Sequence, residues 1–130
     1  LIVTDQLAAP VSEMPPAVTK ACGFIRKSAF ADDINLSAVA RHCGVSDSHF
    51  ARLFHRATGL TFREYLTQVR IEHAKTLVLR TTKTVTEIAF ESGFQSLSQF
   101  HRAFRKAHRI SPGRMRSQWQ ASRNPENLSA

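Results

Sequence analysis

Acidic residues are scarce in this chain of 130 residues: ten Asp and Glu stand against eighteen Lys and Arg, a net charge of +8 with His neutral. Such an excess of base raises affinity for a phosphate backbone and makes binding salt-dependent, without by itself requiring a nucleic-acid partner. Cysteine is scarcer still. Cys22 and Cys43 lie in different helical patterns and outside any C-x-x-C pair, which excludes a disulfide framework and leaves both as small buried hydrophobes in a reducing compartment. His42, Cys43 and His49 lack a recurring zinc-ligand spacing, so neither a metal nor another cofactor is expected. No apolar run approaches the roughly twenty residues that span a bilayer, and the amino end lacks a basic segment followed by an apolar one. The expectation is a cytoplasmic protein with no membrane partner. Extended period-two alternation is also missing, which removes strands. Because the numbering opens on Leu1 rather than Met, the chain reads as a piece of something longer.

What the chain does have is one unit written twice. The stretch LSAVARHCGVSDSHFARLFHRATGLT, residues 36–61, returns at 85–111 as VTEIAFESGFQSLSQFHRAFRKAHRIS. In each copy an apolar residue precedes an Ala by four positions, a Gly follows that Ala by four, and F-x-R-x-F closes the unit. The matching residues are Ala40, Gly44, Phe50, Arg52 and Phe54, then Ala89, Gly93, Phe100, Arg102 and Phe104, with one extra residue between Gly and Phe in the second copy. A repeat of this size is a supersecondary unit built twice. Helix, Gly-containing turn, helix is the layout of a helix-turn-helix.

Charge is unevenly spread. Residues 1–35 hold three bases and four acids, so residues 36–130 carry +9, and Arg102 to Arg116 contains six bases and no acid. The apolar spacing and capping signals predict an all-α fold of about seven helices: 16–29, 36–43, 47–57, 62–80, 85–92, 96–107 and 112–121. Thr61 with Glu64, Thr84 with Glu87 and Ser96 with Gln99 read as capping boxes, and Ser111 before Pro112 as an N-cap with Pro at the first helical position. Two helix-turn-helix subdomains joined by a long linking helix follow: an arm and leading helix at 1–34, the first unit at 35–60, the linking helix at 61–82, the second unit with a closing helix at 83–122, and a tail at 123–130. At 1.5 Å per residue the linking helix is about 28 Å long, close to the roughly 34 Å between successive major-groove faces on one side of B-DNA.

The second helix of each unit divides into two faces. Leu53, Phe54 and Ala57 cluster around Phe50, whereas Ser48, Arg52 and His55 gather opposite; in the second copy Leu97, Ala103, Phe104 and Ala107 join Phe100, and Ser98, Arg102 and Arg105 lie opposite. The polar face is the one expected to meet DNA. Arg suits the acceptors of guanine, and Gln99 suits adenine.

The segment from Val39 to Trp119 resembles the DNA-binding domain of the AraC/XylS family of bacterial transcription regulators. The likeness rests on A-x-x-x-G-V-S, R-x-F-x-x-x-x-G, R-I-E-x-A-K-x-L, I-A-F-x-x-G-F, and F-R-K with S-P a few residues on. It implies two helix-turn-helix units on a linking helix, bound to an asymmetric site in consecutive major-groove segments of double-stranded DNA, with no enzymatic activity. The family pattern puts base contacts near Ser48, His49, Ala51 and Arg52 and near Leu97, Ser98, Gln99 and Arg102. Activation through contact with RNA polymerase is also implied, with any effector or dimerisation domain outside this chain.

Arg109 stands where the family usually has Gly, while Gly59 is kept in the first copy. In a left-handed conformation that exchange costs about 1 kcal/mol. Met115 replaces a common Tyr, which affects packing more than recognition, and Ala51 and Leu97 are apolar where many relatives carry polar readers. His101 is expected at a phosphate, and Arg70 is expected to brace the linking helix through an internal ion pair rather than reach DNA. Glu64 and Glu87 read as helix starts, and Glu72 and Glu91 as solvated or ion-paired residues. Two alternatives compete with the regulator. One is a charge-driven helical nucleic-acid or protein-interaction module without sequence specificity; the other is a methyl acceptor in DNA repair, which needs an activated cysteine.

Overall fold

A computed structural model describes residues 14–31 and 33–123. Residues 1–13 of the expected arm and leading helix, and the expected tail from residue 124 on, lie outside the described residues. Those described form seven α-helices and no strand: α1 Pro16–Ser28, α2 Leu36–His42, α3 Asp47–Thr58, α4 Phe62–Arg80, α5 Val85–Glu91, α6 Leu97–His108 and α7 Pro112–Ser122. They belong to two compact units divided between Arg70 and Ile71, within α4.

Helix starts follow local chemistry. Thr61 and Glu64 cap each other reciprocally, the Thr61 N–H donating to Glu64 at 2.9 Å and the Glu64 N–H to the Thr61 hydroxyl at 3.1 Å. Thr84 and Glu87 do the same at 3.0 and 3.1 Å, and hydrogen bonding by Thr84, its backbone N–H first, holds the Glu87 carboxyl below its ordinary pKa. Ser96 and Ser111 accept from the N–H groups of Gln99 and Arg114. Asn35 and Ser46, unnamed in the sequence reading, cap α2 and α3 in the same way.

The first unit is built around Phe50 and Phe54 of α3, both fully buried with Val18 and Ile25 of α1, Val39 and Ala40 of α2, and Tyr65 of α4. Phe54 meets the Tyr65 ring edge-on at 5.4 Å. Burial, with smaller contributions from Cys22, raises the Tyr65 hydroxyl to a pKa of about 12. Both cysteines are free and partly buried, and desolvation raises both thiols above the ordinary value. That is the reverse of thiol activation. Arg70 Nε donates to the backbone carbonyl of Ala29 at 2.6 Å, just past the end of α1.

In the second unit Phe100 and Phe104 of α6 occupy the equivalent core, with Ile88 and Ala89 of α5, Phe94 of the turn, and Ile71, Ala74 and Val78 of α4. Met115 of α7 packs against this cluster. Ala107, expected on the core stripe, is exposed although its counterpart Ala57 is buried. The first unit has a leading helix, α1, packed on both α2 and α3. In the second unit α4 contributes Ile71, Ala74 and Val78 to the core shared with α5 and α6, and α7 packs on α6.

Candidate DNA-binding surface

The two copies turn by the same hydrogen bonds. After α2 the N–H groups of Cys43, Gly44 and Val45 donate to the carbonyls of Val39, Arg41 and Ala40; after α5 those of Ser92, Gly93 and Phe94 donate to Ile88, Phe90 and Ala89. Gly44 and Gly93 have positive φ, 74° and 95°, as the left-handed residue that ends a helix in this motif requires. Each turn then delivers a capped second helix, α3 after Ser46 and α6 after Ser96.

On α3, Ser48, His49, Ala51, Arg52 and His55 are all exposed, and Phe50, Phe54, Ala57 and Thr58 face the core. On α6, Ser98, Gln99, Arg102 and Arg105 are exposed opposite buried Phe100 and Phe104. Leu97 is half-buried: it packs against the second core and leaves part of its side chain open. His101 is also half-buried, its ring beside Phe100 at 5.7 Å between centroids. Arg56 and Lys106, four residues beyond Arg52 and Arg102, are exposed on the same stripes. Neither was among the residues expected on these faces, although each follows its Arg by the four-residue helical spacing.

Not every base in the run from Arg102 to Arg116 belongs to this surface. The Arg116 guanidinium turns inward and donates to the carbonyls of Val78, Lys83 and Thr81 at 3.0, 2.6 and 3.1 Å. These carbonyls lie at the end of α4 and in the chain leaving it, where acceptors otherwise go unpaired. Lys83 itself is held by Glu91 at 2.9 Å on the surface. At the end of α3, buried Thr58 donates to the Phe54 carbonyl at 2.8 Å and accepts from the Leu60 N–H at 3.1 Å. His108 takes the equivalent place in α6, packed 4.7 Å from the Phe104 ring with a buried Nε2 that has no protein partner. Desolvation, aided by Lys75, lowers its pKa.

Among the described residues no three His, Cys, Asp or Glu side chains come together as a metal site, and no helix is long and apolar enough to cross a membrane. The arrangement offers two capped helices, each with an exposed polar face carrying an Arg opposite a buried Phe pair. This face has hydrogen-bond donors and positive charge suited to base edges and phosphates.

Comparison with known proteins agrees with this geometry. The sequence matches the Helix-turn-helix domain family over residues 39–118. An uncharacterized HTH-type transcriptional regulator of Staphylococcus aureus (strain MSSA476) is 36% identical over 88 residues, which is 68% of this chain and 12% of that protein. The chain thus spans about an eighth of the length of that relative. Among solved structures, the C-terminal domain of AraT, a response regulator from Geobacillus stearothermophilus, superposes with a TM-score of 0.77 at 32% identity, covering 82% of this chain and 88% of that one. A transcriptional regulator with an AraC-type DNA-binding domain from Chromobacterium violaceum gives 0.74 at 26% identity, covering 80% and 92%. The Staphylococcus and Chromobacterium proteins are named as transcriptional regulators and AraT as a response regulator. The chain belongs to the AraC-type family of helix-turn-helix transcription regulators.

Proposed function

We propose that this chain is the DNA-binding domain of a sequence-specific regulator, an activator, that reads two adjacent major-groove segments with α3 and α6. The observation that carries the reading is the equivalence of Arg52 and Arg102: each is exposed on the second helix of its copy, opposite a buried Phe pair. In the first unit Ser48, His49, Ala51 and His55 accompany Arg52; in the second Leu97, Ser98, Gln99 and Arg105 accompany Arg102. Leu97 contributes through the part of its surface that the core leaves open. The reading divides the chain at 35–60 and 83–122 as the two reading units, with 61–82 between them.

The length of α4, nineteen residues or about 28 Å, is close to the spacing of major-groove faces and supports a site of two boxes. The fold shared with an AraC-type DNA-binding domain supports DNA as the partner. Contact with RNA polymerase and an effector or dimerisation domain follow from the family alone, and the small share of the Staphylococcus relative that this chain spans leaves room for such a domain there.

The test is footprinting of Arg52→Ala and Arg102→Ala on the cognate duplex. Each substitution costs about 1–3 kcal/mol of binding and relaxes preference at one position while the fold is kept. Unchanged footprints for both variants remove the assignment and leave the charge-only module.

A further inference from the structure

We propose that Arg109, which closes α6, is a phosphate-contacting residue that adjoins the basic face of the second recognition helix. This rests on the reading of α6 as a DNA-facing helix. Arg109 has φ 67° and ψ 2°, and it is the one non-glycine with positive φ among the described residues. Its counterpart Gly59 makes the same turn, with φ 77° and ψ 0°. In both, the N–H donates at 2.8 Å to the carbonyl four residues back, His55 or Arg105. The backbone therefore asks for glycine at either site, and an L side chain there is strained.

Nothing within the second unit calls for an arginine at this position. The side chain is exposed, and its guanidinium makes no hydrogen bond or ion pair among the described residues. It adjoins a basic face. Ser98, Arg102 and Arg105 follow at intervals of four and three residues along one exposed face of α6, and Arg109, also exposed, is the left-handed residue that closes that helix. The corresponding residues of the first copy are Ser48, Arg52, His55 and Gly59, so there the closing residue is uncharged. A strained residue kept at the end of a binding face points to a role outside the chain. No acid lies between Arg102 and Arg116 to serve as an internal partner. Recognition helices read bases mainly from their amino-terminal residues, so a cation at the carboxyl end is suited to the phosphate wall of the groove, where contacts set affinity without reading sequence.

The experiment measures binding of the 130-residue chain and its variants to two labelled duplexes by anisotropy across a salt series. One duplex has mixed sequence, and the other carries the site recovered by selection. Arg109→Gly, the variant that relieves the strain, is expected to weaken both duplexes by about three- to tenfold near 0.1 M salt and to reduce the salt slope by about one. Arg109→Asn, uncharged but tolerant of the left-handed region, gives the same loss, and Arg109→Lys restores the slope. Wild-type affinity and slope in both Arg109→Gly and Arg109→Asn overturn the proposal. Arg102→Ala separates the two readings: if it leaves affinity for the selected site intact, the base-reading role of α6 falls, while the Arg109 slope still decides the phosphate contact.

Discussion

The guanidinium of Arg116 donates to the carbonyl of Lys83 at 2.6 Å, and its other nitrogens hold the carbonyls of Thr81 and Val78. A residue that composition assigns to a basic surface is thereby the clasp between α7 and the chain that leaves α4. Arg116→Ala is expected to destabilise the second unit by about 2 kcal/mol, because carbonyls paired with a charged donor lose it together. Arg116→Lys recovers only part of this, since an ammonium lacks the planar fork. Urea unfolding checks both. The salt slope of DNA binding stays at the wild-type value, because this guanidinium is already engaged.

The turn after α6 carries strain that the turn after α3 does not. Arg109→Gly therefore raises stability by about 1 kcal/mol, the left-handed penalty removed less the extra freedom glycine has in the unfolded chain. The reverse change, Gly59→Ala, lowers it by about 1–2 kcal/mol. Thermal or urea denaturation reads both, and equal stability of both variants with the parent chain contradicts the assignment of strain.

Phe54 and Phe104 are the fully buried centres of two small cores. Truncating either to Ala costs about 3–5 kcal/mol, enough to unfold its own unit. Amide exchange followed residue by residue shows protection lost in α2 and α3 for Phe54→Ala, or in α5 and α6 for Phe104→Ala.

His108 gives the second unit a pH dependence of known sign. Its pKa is lowered in the folded state by burial and by Lys75, so the unfolded chain takes up the proton more readily. The associated stability is complete above the ordinary histidine value of 6.5 and is lost as pH falls below it toward the folded pKa. The lowered pKa of Glu87 acts in a separate window, below the ordinary 4.5. His108→Leu, which also removes the unpartnered Nε2, flattens the loss between pH 7.5 and 5.5; an identical slope in wild type and variant contradicts the role.

Most of this fold was readable because its determinants are local. Thr61 with Glu64, Thr84 with Glu87, and Ser111 before Pro112 announce helix starts within four residues, and Gly44 and Gly93 announce the turns. The same signal at Asn35 and Ser46 was equally local. Arg116 was not readable, because its acceptors are backbone carbonyls 33 to 38 residues away, and a carbonyl leaves no mark in side-chain identity. Ala107 failed for a related reason: periodicity gives the direction of a side chain, but what covers it depends on a helix elsewhere in the chain. The candidate surface was legible where polarity decides, as at Arg52 and Arg102. Leu97 sits at the edge of the apolar stripe, and there only packing shows how much of the side chain is left open.

The most direct test of the account is selection of random duplexes by this chain at near-physiological salt, followed by sequencing of the bound pool. The account predicts an enriched asymmetric motif of two boxes about one helical turn apart, with one box lost in Arg52→Ala and the other in Arg102→Ala. Tight binding without enrichment, or a motif indifferent to both substitutions, contradicts it.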